Sequence, residues 1–253
     1  IDLVVSTYVA VNLFWQGDGL LNPWDVAITA DWTNSAGAAA LFHQFDNANF
    51  DDTSVNLNVN LVGALTPARV NVNGSANAYT FQGSGQLASG NVTNNNPNTL
   101  TILTTNSGTA AWTINAGTVQ FGNGATAGAP GNGAVFNNSA LVFNEPDVVT
   151  LGGAMSGTGS LTVQAGGLNL SGNNAGYGGT ATINVNASLQ VGVGTGVGTL
   201  GSGPVVNDGA LVFNRSGSVS YGGAISGSGS VSNIGAGTVT LSGANSYAGN
   251  TVI

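Results

Sequence analysis

Ala140-Leu141-Val142-Phe143-Asn144 returns unchanged as Ala210-Leu211-Val212-Phe213-Asn214. At the same offset, Gly152-Gly153-Ala154-Met155-Ser156-Gly157-Thr158-Gly159-Ser160-Leu161 becomes Gly222-Gly223-Ala224-Ile225-Ser226-Gly227-Ser228-Gly229-Ser230-Val231. Upstream, Val119-Gln120-Phe121-Gly122 prefigures Leu189-Gln190-Val191-Gly192, while Tyr177 and Gly179 recur as Tyr247 and Gly249. A weaker copy precedes both: Phe81 to Leu87 is similar to Met155 to Leu161, and Thr99 to Ile102 is similar to Thr238 to Leu241. Self-similarity at a fixed spacing, here about 70 residues, is the mark of an architecture built from stacked units. The units run approximately over 81–150, 151–220 and 221–253, the last of them partial.

Within a unit the apolar residues alternate. Leu161, Val163, Leu168 and Leu170 are interleaved with Thr162, Gln164 and Asn169, and Val239 and Leu241 with Thr238, Thr240 and Ser242. A period of two over four to six residues, bounded by Gly, Ser and Asn, predicts half-buried strands. No ten-residue segment has helical spacing, and each Gly would weaken a helix by about 1 kcal/mol relative to Ala. Short strands repeating without helices leave a solenoid, sandwich, barrel or propeller. A propeller blade as large as this unit would be long, and a sandwich has no need of internal repetition. The expected fold is therefore all-β, a parallel β-helix (β-solenoid), each unit dividing into about three coils of roughly 20–25 residues. Neighbouring coils would lie about 4.8 Å apart, with stacked apolar side chains inside.

Composition removes several functions. Of 253 residues, 41 are Gly, 10 are acidic and 2 basic, giving a formal charge of −8; Arg69 and Arg215 are the whole basic inventory. Nucleic-acid binding requires a basic footprint, so no nucleic-acid partner is expected, and anionic membranes are equally unattractive. Disorder is disfavoured because 42% of residues are hydrophobic and only 5% charged. No apolar run reaches the roughly 18 residues of a membrane-spanning helix, and no signal-peptide pattern opens the sequence; an export signal is expected to have been removed already. The absence of Cys removes disulfides and thiolate sites. Sparse charge with abundant Gly, Asn, Ser and Thr suits an extracellular or cell-surface protein.

The run Ile225-Ser226-Gly227-Ser228-Gly229-Ser230-Val231, followed by Gly237 to Ile253 (GTVTLSGANSYAGNTVI), resembles the autotransporter-associated β-strand repeat of large exported bacterial surface proteins. The full repeat continues into a segment like Asn115 to Gly124, also present here. The resemblance covers about 79–253. It implies a parallel β-helix projecting from a bacterial cell as a passenger-type surface protein, and it carries no catalytic motif. The C-terminal membrane barrel of an autotransporter is not part of this sequence.

Residues 1–78 do not repeat. They hold seven of the ten acids and three of the four tryptophans, and read as an N-terminal region that caps the solenoid or serves in assembly. Atypical ends are needed because an open coil exposes unpaired backbone. The same residues offer a second reading, an adhesin: Trp15, Trp24 and Trp32 as a platform for a glycan or host surface. Asp46, Asp51 and Asp52 are weak candidates for Ca²⁺, since Asp46 to Asp52 does not match the twelve-residue calcium loop; otherwise no cofactor is expected. Ile1, Leu3, Val5, Val9, Val11 and Leu13 at one end, and Val252 and Ile253 at the other, are expected to form complementary open edges. Two different edges meeting give a heterologous contact that grows head to tail into a filament.

Catalysis finds little support. Asp51 and Asp52 are adjacent, which on a strand points them to opposite faces, and Glu145 and Asp147 flank Pro146 in a turn. Paired carboxylates at hydrolase spacing are therefore not evident. His43 lies alone in Leu41-Phe42-His43-Gln44-Phe45 and reads as structural. Gly192 to Gly203 lacks the Lys and following helix of a phosphate loop. The expectation is a non-catalytic structural protein forming a surface fibre, sheath or filament, with the adhesin as its alternative.

Overall fold

The computed structural model describes residues 8–253; the assembly candidates Ile1, Leu3 and Val5 lie outside them. The described chain is all β, with the strands wound into a β-solenoid of about ten turns. One column of parallel strands stacks Asn12–Trp15, Asn47–Phe50, Arg69–Val72, Asn91–Asn94, Ala111–Ile114, Val135–Asn137 and Met155–Ser156. A second runs through Asn58–Leu61, Thr80–Gln82, Thr99–Ile102 and Thr118–Phe121 into the first half of Ala140–Leu151 and of Ser160–Leu170. It continues through Ala181–Ile183, Val205–Asn207 and Ile225–Ser226. The second halves of the two long strands begin a third column, continued by Ser188–Thr195, Ala210–Arg215, Ser230–Asn233 and Thr251–Val252.

Period-two alternation becomes alternate burial. Val59, Phe81, Ile102, Phe121, Phe143, Val163 and Ile183 stack in register in the second column, each wholly buried. Leu168, Leu189 and Leu211 do the same in the third, capped by Val231 at 3% exposure. Each such side chain contributes about 1.5–3 kcal/mol, and each added coil extends every column at once.

One coil is the step from Arg69 to Asn91, from Asn91 to Ala111, or from Ala181 to Val205, and these steps have the length expected from the sequence. The repeat, however, is not three coils. Three coils beyond Leu141 in its own column stands Val205, by way of Leu161 and Ala181. The repeat partner Leu211 comes later, in the next column, on Leu189. Likewise Met155 stacks on Val135 in the first column, whereas Ile225 stacks on Val205 in the second. The unit thus makes somewhat more than three turns, and each copy sits one face further round the rod.

Recurrent glycines mark the corners. Gly157 and Gly227 both have φ of +98°, and a Cβ would come within 2.1 Å of the Asn137 carbonyl oxygen and 2.2 Å of that of Asn207. Left-handed backbone and direct contact with the coil beneath exclude any other side chain there.

The ladder begins earlier than the repeat. Asn47–Phe50 and Arg69–Val72, within the non-repeating 1–78, already stack in parallel. The principal device of the first coil is a hairpin. Trp32–Asn34 pairs antiparallel with Asn12–Trp15, and Ala39–Ala40 pairs antiparallel with Trp32–Asn34. The first column therefore ends on a two-residue edge rather than on an open parallel strand, a familiar way of blunting a sheet edge. No helix of the described residues is long and apolar enough to cross a membrane.

Candidate functional site

The tryptophan platform, the second reading of the N-terminal region, is not a surface. Trp15 and Trp24 are wholly buried and Trp32 is 1% exposed. Trp15 and Trp32 meet edge to face at 5.0 Å, Trp24 lies 5.3 Å from both Trp32 and Phe42, and Phe50 packs 5.5 Å from Trp24. The Trp15 indole donates to the Asn56 carbonyl at 2.7 Å. These rings pack together inside the first described coil. Alternation puts residues 13 and 15 inside, and that places Trp15 with the core and turns Phe14 outward.

The acidic candidates do separate work. Asp46, 1% exposed, accepts from the Tyr8 hydroxyl and the Val11 amide with one oxygen and from the His43 amide with the other. It thereby ties the entering chain to the second coil. Burial and this carboxylate push the Tyr8 hydroxyl up to about 12. Asp52 accepts from the amides of Ser75, Ala76 and Asn77, and those donors hold its carboxyl down at about 2. Asp51 accepts from the amide and hydroxyl of Thr53 through Oδ1. Among the described residues no three acidic or His side chains converge as metal ligands.

Of the assembly candidates, Leu13 is core at 1% exposure, whereas Val9 and Val11 are exposed. Val252 and Ile253 are exposed beside a cavity of about 440 Å³ above Phe213, Val231 and Leu241. The other ionisable singletons are also placed. His43 has its Nδ1 3.8 Å from Asp46. Arg69 projects from the first column.

Glu145 and Arg215 were separate observations in the sequence; the structure makes them counterparts. Each follows the repeated Asn, one repeat apart, and each enters the socket of a loop, Gly122 to Gly128 or Gly192 to Gly198. Glu145 is 2% exposed and accepts from the Gly128 amide at 3.0 Å, while its Oε1 has no partner. Burial pushes this carboxyl up to about 7. Arg215 instead donates to the carbonyls of Gly196 and Gly198. Gly198 has φ of +96°, which Gly128 does not share, so the loop presents N–H to the acid and C=O to the base. Asp147 is not part of this socket.

The concave feature of the cap lies outside the tryptophan cluster. Phe14 projects from Asn12–Trp15 on the outer face, between Thr33 on one paired strand and Asn49 on the other. Beside it, the turn that closes the Trp32–Asn34 and Ala39–Ala40 hairpin stands up as a wall. A groove of about 450 Å³ results, lined by Phe14, Gln16, Thr33, Asn34, Ser35, Gly37, Asp51 and Thr53. Period-two patterning would have put Phe14 outside, but nothing local shows that a later hairpin comes back beside it.

No protein-family profile matches the chain, and no solved structure matches it. Among curated proteins, a stretch of 54 residues, 21% of this chain, is 48% identical to a protein named adhesin BmaC autotransporter from Brucella suis biovar 1 (strain 1330). That stretch spans 2% of the relative's own length, so the likeness concerns a small part of a very much larger protein.

Proposed function

We propose that this chain is a non-catalytic structural segment of an exported bacterial surface protein, a rod that carries other parts of the molecule away from the cell. The observation behind this reading is the uninterrupted parallel ladder of about ten turns around an apolar interior. At about 4.8 Å per turn such a ladder is about 48 Å long, and its stiffness comes from backbone pairs that all run along the axis. The short likeness to an autotransporter adhesin supports a surface location. Two isolated arginines, one of them engaged with backbone carbonyls, leave trypsin-like proteases little to attack.

Head-to-tail growth into a filament fits this rod less well. A second molecule would have to displace the antiparallel hairpin from the first coil before it could extend the first column. Small-angle scattering and negative-stain electron microscopy of the purified chain test the reading. Monodisperse rods about 50 Å long are expected. Long uniform filaments would restore the head-to-tail arrangement, and compact spheres would overturn the rod.

A further inference from the structure

The groove beside Phe14 combines an aromatic side chain with the planar polar groups of Gln16, Asn34 and Asp51. Phe14 pairs with no other ring of the described residues, although it adjoins the densest aromatic cluster in the protein. Its neighbours are already oriented. Gln16 donates Nε2 to the Thr53 hydroxyl, leaving Oε1 as an acceptor. Asn34 Oδ1 accepts from the amides of Ala36 and Ala38, leaving the Nδ2 donors. Asp51 Oδ1 is taken by Thr53, leaving Oδ2. Donors and acceptors thus surround an apolar face, and their internal bonds reduce the ordering cost of binding.

We propose that this groove binds a neutral hexopyranose unit of an oligosaccharide, one sugar face lying on Phe14 and its hydroxyls meeting Gln16, Asn34 and Asp51. A pyranose presents that combination: axial C–H groups on a face, and an equatorial belt of hydroxyls that each donate and accept. An extended peptide does not fit the same surface. The strand bearing Phe14 is paired on both sides, by Trp32–Asn34 and Asn47–Phe50, so no backbone edge is free for strand addition. An anionic saccharide is disfavoured because Asp51 lines the groove without any Lys or Arg beside it. The proposal does not depend on the rod reading; it concerns the outer face of one coil.

The test is titration of the full chain, by calorimetry or ligand-observed NMR, with cellotetraose, maltotetraose and chitotriose, and with trigalacturonate as the anionic control. At least one neutral oligosaccharide is expected to bind and trigalacturonate is not. Phe14→Ala is expected to weaken that binding by about ten-fold, and Asp51→Asn by about five-fold. Phe14→Tyr is expected to retain it. Phe136→Ala is the matched control: Phe136 also projects outward from the first column, but it does not line this groove, so its loss is expected to leave binding unchanged. No binding of any neutral oligosaccharide at about 10 mM overturns the proposal, and so does an equal effect of Phe14→Ala and Phe136→Ala. Neither result bears on the length of the rod measured by scattering.

Discussion

Replacing Glu145 by glutamine is expected to stabilise the protein in alkali and to leave it nearly unchanged in acid. The carboxyl is buried, one oxygen accepts from Gly128, and the other has no partner. Burial raises its pKa from 4.5 to about 7. Because the folded value lies above the unfolded one, the folded state holds its proton more tightly. No cost arises below about pH 4.5; the cost grows between about 4.5 and 7 and is complete above that. At about 1.36 kcal/mol for each tenfold change in proton affinity, this displacement is worth about 3 kcal/mol. Glutamine keeps the side-chain volume and the acceptor for Gly128, and it cannot ionise. Thermal midpoints of wild type and Glu145→Gln would be compared across that range. For a chain of this size about 3 kcal/mol corresponds to a gain of about 6–12 °C above pH 7, falling toward zero near pH 4. Asp31, also raised by burial to about 6, is common to both proteins and cancels in the difference. A gain of the same size at both pH values, or a loss above pH 7, would refute the reasoning.

Gly157→Ala is expected to cost about 2 kcal/mol or more, because its Cβ would meet the Asn137 carbonyl at 2.1 Å. Gly37→Ala, also at positive φ but with open space around it, is expected to cost only about 1–2 kcal/mol of backbone strain; chemical denaturation compares the two. Trp24→Ala is expected to remove about 3–5 kcal/mol and to accelerate hydrogen exchange first in the early coils, which contact its ring. Trypsin acting on the folded protein is expected to cut only slowly after Arg69, whose scissile bond lies in a strand paired on both sides, and to spare Arg215, whose guanidinium is held by Gly196 and Gly198. Mass spectrometry of the products checks this, and rapid cleavage after Arg215 would show the Gly192 to Gly198 loop to be open in solution.

Much of the fold was legible because strand patterning and repetition are local properties. Leu161, Val163, Leu168 and Leu170 alternate with polar residues, and the structure buries those four. Gly157 and Gly227 recur because the same corner recurs. The candidate site was read less well. Aromatic and acidic residues concentrated before residue 53 marked the cap, but composition does not say which way a ring points. For Trp15, Trp24 and Trp32 the cap was the first reading and the platform the second, and the structure buries all three. Their burial follows from the hairpin that brings Trp32 back beside Trp15, so that the three rings pack with Phe42 and Phe50 inside the coil. Asp46 likewise belongs to the core because its donors come from Tyr8, Val11 and His43, residues brought together by the turn into the second coil.

The amino-acid sequence alone determined that this chain is built of short strands, that it repeats at a fixed offset, and that it carries almost no positive charge. Each of these is a property of neighbouring residues or of counting. Tertiary structure decided how the repeat maps onto the coil. Strand spacing is nearly equal on every face, so a fixed period looks the same whether it closes after three turns or passes on to the next face. Tertiary structure also decided that a hairpin, and not an open strand, covers the first coil, and that Phe14 faces outward beside the wall this hairpin makes. Those outcomes rest on contacts between segments well separated along the chain, whose geometry is set by the twist and packing of the whole stack.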